Sequence, residues 1–172
     1  MAIETGLRDG RTVLLRPTRT ADEGELLQLF ERMSEHARYM RAMHVVREPN
    51  LERVRGVLAS FPDKGIGLVA TVPAADGIDI VGSAIAMFTA DRSSCEFATT
   101  VDAAYGGAGL GTILMTALID EARQRGLREM EGFVLAQNQP MLRLARKLGF
   151  STRSEPGDAS VRICRLALGG PA

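Results

Sequence analysis

The sequence predicts a mixed α/β domain, and two features carry that prediction. Two β-type runs, at 66–72 and 78–88, are joined by the turn sequence PAADG and form an expected antiparallel hairpin. Farther along, a strand, a glycine-rich loop and a helix follow one another over 95–126. The 172 residues include no internal repeat, low-complexity tract or long linker, so we expect one domain over residues 1–172.

Helical patterns dominate the chain before that hairpin. A β-rich run at 11–17 ends in a proline, and the apolar residues of 22–33 then recur at helical spacing. A second helical stretch follows Ser34, and a third begins near Pro49. One strand and three helical segments are therefore predicted ahead of the main sheet.

Strands and helices alternate in the second half of the chain. Apolar periodicity and the turn residues at its ends separate five elements there. They are a strand at 95–101, a helix from Leu110 to about Gly126, a strand at 129–135, a helix at 140–148 and a strand at 161–168. Asn138 is the expected cap of the last helix, and Gly149 is its expected end.

The composition excludes several classes of partner. Lys plus Arg equal Asp plus Glu at 21 each, so no overall positive field attracts nucleic acid. No segment reaches the ~20 apolar residues that a membrane span needs, and residues 1–11 lack the apolar segment of a signal peptide. Cys95 and Cys164 lie in apolar runs as expected core thiols, and no Cys or His cluster has metal-ligand spacing. We therefore expect a cytoplasmic protein without a metal, nucleic-acid or membrane partner.

A glycine-rich loop at 106–112, with the sequence GGAGLGT, follows a strand and opens a helix. Without Cβ atoms its backbone can turn tightly and approach a ligand, while the unpaired N–H groups of the helix start favour an anion. The pattern indicates a cradle for a pyrophosphate. From the loop alone, a helix-start turn that binds nothing is the simpler alternative.

Two other phosphate-binding motifs do not fit this loop. A P-loop needs a lysine directly after its last glycine, whereas Gly111 is followed by Thr112. A dinucleotide fingerprint that starts at Gly107 and Gly109 needs a third glycine where Thr112 stands. The loop therefore belongs to neither of these nucleotide-binding classes.

Four segments together resemble the core of the GNAT acetyltransferases. They are EFATTV at 96–101, GLG at 109–111, NQPM at 138–141 and KLGF at 147–150, and the resemblance spans about residues 11–168. It implies the GNAT fold, which is a mixed central sheet of about six to seven strands flanked by helices, and acetyl-CoA as co-substrate. The residues expected to bind acetyl-CoA are Thr99, Thr100, Val101, Gly106, Gly107, Ala108, Gly109, Leu110, Gly111, Thr112, Asn138 and Met141.

A narrower likeness concerns the acceptor. The segments LRDGRTVLLRPTRTADE, SEHARYMRAMH, EFATTV and LAQNQPMLRLARKLGF are similar to the acetyltransferase domains of bacterial protein lysine acetyltransferases. This likeness implies a protein lysine as acceptor. Homodimers are common in the family, so the resemblance also makes a homodimer one expected assembly.

The chain departs from the family pattern in two places. Gly106 and Ala108 stand where the family loop usually has Gln or Arg and a basic residue, so phosphate binding would depend more on main-chain N–H groups. Ala145 stands where many relatives carry a tyrosine that protonates the departing thiolate. Water is then the expected proton donor.

Glu96 is the candidate general base. A lysine with a pKa of about 10.4 must lose a proton before its nitrogen attacks a thioester, and a carboxylate whose pKa is raised by partial burial can remove it. Strand alternation places Glu96 with Ala98 and Thr100 on one face of an otherwise apolar strand. The resemblance implies the same role, because the lysine acetyltransferase branch carries its general base at the matching glutamate. A solvent-facing glutamate without a catalytic role is the alternative.

Three functions stay open at the level of the sequence. The first is acetylation of a protein lysine, and the second is acetylation of a small amine such as an amino acid, a polyamine or a drug. The third is a module that senses acyl-CoA without catalysis. The absence of a basic residue from the glycine loop and the alanine at 145 in place of a tyrosine favour this third function.

Overall fold

A computed structural model describes residues 2–44 and 46–169, and one eight-stranded sheet organises them. The strands are β1 (Ile3–Gly6), β2 (Thr12–Pro17), β3 (Gly65–Ala74), β4 (Gly77–Phe88), β5 (Ser94–Val101), β6 (Glu129–Leu135), β7 (Ser151–Glu155) and β8 (Asp158–Ala167). Their order across the sheet is β1-β2-β3-β4-β5-β6-β8-β7. Every neighbouring pair is antiparallel except β5 and β6, which run parallel.

The helices begin where local capping chemistry predicts. They are α1 (Glu23–Arg32), α2 (Glu35–Ala42), α3 (Leu51–Ser60), α4 (Leu110–Gln124) and α5 (Gln139–Lys147). Ser34, Asn50 and Asn138 accept main-chain hydrogen bonds from the first turns of α2, α3 and α5. The predicted helices and the cap at Asn138 are confirmed. Across the described ranges, no helix combines the length and the apolar content that a bilayer crossing requires.

The sheet has slightly more strands than the six to seven expected, and the sequence reasoning missed both of its edge strands. β1 (IETG) and β7 (STRSE) are mostly polar and mostly exposed. Edge strands of this kind lack the alternation of apolar residues that identifies a half-buried strand. The expected hairpin is confirmed, because β3 and β4 pair along their length and are joined by a two-residue turn at 75–76.

The main core lies between the sheet and α4. Leu114, Met115 and Leu118 are fully buried, and α4 packs across β3, β4 and β5. Cys95 and Cys164 are buried free thiols, as predicted. Burial raises the pKa of the Cys95 thiol to about 12, so this side chain stays protonated at neutral pH and acts as a small apolar group.

The parallel strands β5 and β6 separate soon after they pair. Their register joins 94–96 only with 129–131, although β5 continues to Val101 and β6 to Leu135. We call the gap between the unpaired parts of these two strands the interstrand slot. One edge of each strand therefore presents main-chain N–H and C=O groups without a partner strand.

An aromatic side chain stands at the point where the slot begins. The ring of Phe97 lies so close to β6 that a Cβ atom at Gly132 would be 2.2 Å from it. Phe150 packs edge-on against the same ring, with the two centroids 5.2 Å apart. Glycine at 132 therefore gives the Phe97 ring the room to pack against β6.

Candidate active site

The glycine loop ends at the start of α4, beside the interstrand slot. Gly107 and Gly109 have positive φ angles of 74° and 90°, a region in which other residues are strained. Gly109 precedes the helix, and no side chain caps it. The N–H groups of the first turn thus have no intrahelical partner, and they lie at the positive end of the helix dipole.

Close packing holds this helix start against the slot. A Cβ atom at Gly111 would lie 3.2 Å from Leu144 of α5 and 3.9 Å from Val101 of β5. The absence of a side chain at 111 therefore lets α4 approach both walls. Ala108 and Leu110 are 4% and 1% exposed, so only their main-chain groups can reach a ligand.

A recess of about 200 Å³ lies next to the loop, and two cations line it. Arg8 comes from the turn between β1 and β2, where its N–H donates to the Ala108 carbonyl at 3.1 Å. Lys147 comes from α5, and Thr112 of α4 also lines the recess. In the part of the chain that the structure describes, neither cation has an ion-pair partner. Free N–H groups and two uncompensated cations suit a phosphate group.

Sequence reasoning did not include Arg8 in the site. More than 90 residues separate it from the loop, and no spacing rule connects them. Arg11 fixes the β1–β2 turn that carries Arg8. Its Nη1 donates to the Ala104 carbonyl at 2.9 Å, and its guanidinium stacks 4.0 Å from the centre of the Tyr105 ring. The fold thus supplies a basic residue where the family loop usually carries its own.

The threonines of β5 project to opposite faces of the sheet, as alternation predicts. Thr99 faces α4, where its Oγ1 lies 2.8 Å from the sulfur of Met115. Thr100 faces α2, and its Oγ1 accepts a hydrogen bond from Arg41 Nε at 3.2 Å. Only main-chain groups of 99–101 point along the sheet into the slot.

Glu96 lies at the last paired position of β5 and β6, directly beside Glu131. Glu131 accepts a hydrogen bond from Arg165 Nε at 2.6 Å and is thereby neutralised. Glu96 makes no ion pair within residues 2–44 and 46–169. The expectation of partial burial is wrong, because Glu96 is solvent-exposed. Strand alternation identified its face correctly but could not show what covers that face.

The residues expected to act from α5 differ in how far their side chains can reach a ligand. Asn138 Oδ1 accepts from the Met141 N–H at 3.3 Å, so the carboxamide oxygen caps the helix and its nitrogen stays available as a donor. Met141 is half-buried against the main core. Ala145 is 1% exposed within that core and supplies no acid to the site.

Comparison with known proteins identifies the class to which this fold and site belong. The family profile described as the acetyltransferase (GNAT) domain matches residues 12–151. An acetyltransferase of Pseudomonas aeruginosa is 33% identical over 162 residues, which are 94% of this chain and 87% of that relative. The chain therefore belongs to the GNAT acetyltransferase family, and the resemblance seen in its motifs is confirmed.

Solved structures share the architecture. The GNAT domain of S. lividans PAT has a TM-score of 0.86 at 22% identity, with 96% of each chain covered. The acetyltransferase yncA from Salmonella typhimurium, solved with its cofactor acetyl-CoA, has a TM-score of 0.69 at 23% identity and covers 93% of this chain and 96% of its own. The protein is an acetyl-CoA-dependent acetyltransferase with the expected fold.

Proposed function

We propose that this enzyme acetylates a primary amine by direct attack, with Glu96 as general base, and that a lysine side chain is the acceptor. The observation that carries the proposal is the pair of carboxylates where β5 and β6 separate. Arg165 neutralises Glu131, whereas Glu96 is exposed at the slot and makes no ion pair in the described residues. The likeness to the lysine acetyltransferase domains favours the lysine acceptor.

The proton on the acceptor is the main obstacle to the reaction. Bound acetyl-CoA supplies the acetyl group as an activated thioester. Freeing the lone pair of a lysine at pH 7 costs about 4 to 5 kcal/mol, at 1.36 kcal/mol per pH unit. In this proposal the Glu96 carboxylate accepts that proton directly or through one water as the amine nitrogen attacks. Water then protonates the departing thiolate, because Ala145 has no proton to give.

Main-chain groups are proposed to hold most of the cofactor. The N–H groups of 107–112 bind the pyrophosphate, with Arg8 and Lys147 as the nearby cations. Gly106 shapes the loop instead, since its N–H donates to the Ala103 carbonyl at 3.1 Å. The slot-facing main chain of Thr99, Thr100 and Val101 pairs with the amides of the pantetheine arm and polarises the thioester carbonyl. Asn138 contributes its carboxamide N–H, and Met141 lies one helical turn farther on.

Binding and turnover can be tested separately. Calorimetry with acetyl-CoA and CoA is expected to detect binding, and a thiol-release assay is expected to show turnover with lysine-containing peptides. Small amines without a peptide context serve as the comparison. Binding without thiol release from any amine would contradict the proposed reaction, and no heat with CoA at millimolar concentration would contradict the proposed cofactor site.

Arg8 gives the cofactor site a specific prediction. Substituting it with glutamine is expected to weaken CoA binding about 10-fold, because one charge-assisted contact to a phosphate is lost. Calorimetry should show that affinity for pantetheine, which lacks the phosphates, stays unchanged, and that Arg8→Lys recovers part of the loss. An equal loss for CoA and pantetheine would mean that Arg8 acts only on the loop structure.

A further inference from the structure

Asp102 is the first residue after β5, and it leads the chain into the glycine loop. Its N–H donates to the Val81 carbonyl at 2.9 Å, which holds it against β4. Its Oδ1 accepts the Ala104 N–H at 2.9 Å, and its carbonyl accepts the Tyr105 N–H at 2.8 Å. Only 13% of the side chain is exposed. This one residue therefore sets the turn through which the chain passes from the sheet to the loop.

Arg32, the last residue of α1, holds the Asp102 carboxylate in place. Its Nε donates to Asp102 Oδ2 at 2.9 Å, and its Nη2 donates to the Ile80 carbonyl of β4 at 2.7 Å. The guanidinium is planar and rigid, so two such contacts leave it little freedom to move. The carboxylate is thereby kept in one orientation, with its other oxygen directed at the Ala104 N–H.

Residues 102–105, which we call the loop entry, are anchored by a second arginine. Arg11, directly before β2, donates to the Ala104 carbonyl at 2.9 Å and stacks on the Tyr105 ring. The two arginines come from different elements, and together they fix the main chain just ahead of the glycine loop. The N–H groups of 107–112 can meet at one phosphate only when the chain enters the loop in a constant direction.

The position of this ion pair favours a role in ligand binding over a role in stability. The Arg32 side chain is 36% exposed, and partly exposed ion pairs contribute little to the free energy of unfolding. The recess with Arg8 and Lys147 lies at the far end of the same loop, and neither Arg32 nor Asp102 lines it. Any effect of the pair on phosphate binding is therefore transmitted through the conformation of the loop.

We propose that Arg32 and Asp102 are positioning residues for the acetyl donor, because they hold the loop entry ready for the pyrophosphate. This inference rests on the cofactor site proposed above. Without the ion pair, cofactor binding has to order the loop as well, so the KM for acetyl-CoA rises. The kcat at saturating donor stays the same, since the bound cofactor still presents its thioester beside Glu96.

Two acetyl donors test the inference, because acetyl-CoA carries phosphates and acetyl-pantetheine does not. Arg32→Gln and Asp102→Asn are each expected to raise the KM for acetyl-CoA about 5- to 10-fold in the thiol-release assay, with kcat unchanged. For acetyl-pantetheine, kcat/KM is expected to stay at the wild-type value. Arg32→Lys keeps a charged donor and should recover part of the loss. An unchanged KM for acetyl-CoA, or an equal loss of kcat/KM for both donors, overturns the inference.

A double-mutant cycle tests whether the two residues act as a unit. If Arg32 acts through Asp102, the variant with both substitutions should have a KM for acetyl-CoA no higher than the worse single variant, whereas losses that multiply would contradict the proposal. Arg55→Gln is the matched control and should leave KM unchanged, since it removes an exposed ion pair with Glu23 at the other end of α1. Failure of the unaltered enzyme to bind CoA overturns the proposed cofactor site instead, so the two failures are distinguishable.

Discussion

Glu96→Gln is expected to lower kcat at least about 100-fold while the affinity for CoA stays the same. Glutamine keeps the size and hydrogen-bonding capacity of the side chain but cannot accept the proton of an ammonium group. A 100-fold loss corresponds to about 2.7 kcal/mol of transition-state stabilisation. The measurement is thiol release at saturating acceptor, together with calorimetry for CoA.

Glu131→Gln is the matched control for this substitution. Glu131 stands beside Glu96 in the strand register, but Arg165 already occupies its carboxylate. Loss of that partly exposed ion pair affects stability only slightly, and turnover is expected to stay within about threefold. Equal losses in the two variants would indicate that the negative charge of the pair matters rather than proton transfer to Glu96.

Asp22→Asn is expected to lower the free energy of unfolding by about 3 to 5 kcal/mol. Asp22 and Arg16 are 4% and 8% exposed, and Arg16 binds the carboxylate through both terminal nitrogens at 2.7 and 2.8 Å. The Arg19 N–H adds a third hydrogen bond at 2.7 Å. The substitution leaves the Arg16 charge buried without a counter-ion. Urea unfolding at pH 7 measures the difference.

The pH dependence of this difference follows from the pKa of Asp22. Burial by itself would raise that pKa, but the hydrogen bonds from Arg16 and Arg19 outweigh burial, and the net pKa lies below its ordinary value. A depressed pKa in the folded state stabilises the protein above the unfolded-state pKa of about 3.9, and this stabilisation is lost as the pH falls through the folded-state pKa. The gap between wild type and Asp22→Asn should therefore narrow below about pH 4.

The exposed pair of Asp120 and Arg123 in α4 provides the control. Its nitrogen and oxygen atoms are 3.8 Å apart, and both side chains are about half exposed. Asp120→Asn is expected to change the free energy of unfolding by less than about 0.5 kcal/mol. If Asp22→Asn were equally mild, the buried pair would not be a major source of stability.

The parts of this fold that depend on neighbouring residues could be predicted from the sequence. The β3–β4 hairpin, the cap at Asn138 and the face on which Glu96 lies all follow from patterns within about ten residues. The GNAT motifs added the family and its cofactor, which the comparisons confirm.

The remaining parts depend on contacts between distant segments. Arg8 reaches the loop at Gly109 through the β1–β2 turn, and Arg41 reaches Thr100 through the placement of α2. Neither position shows a local pattern, so sequence reasoning missed both residues. The exposure of Glu96 was misjudged for the same reason, because periodicity identifies a face and not the segments above it.

The separation of β5 and β6 has a consequence for the affinity and speed of ligand binding. The two strands no longer pair beyond Glu96 and Glu131, so an incoming molecule does not have to break a β-ladder before it can form hydrogen bonds of its own. Because the groove is preorganised in this way, little binding free energy is lost to rearrangement of the protein.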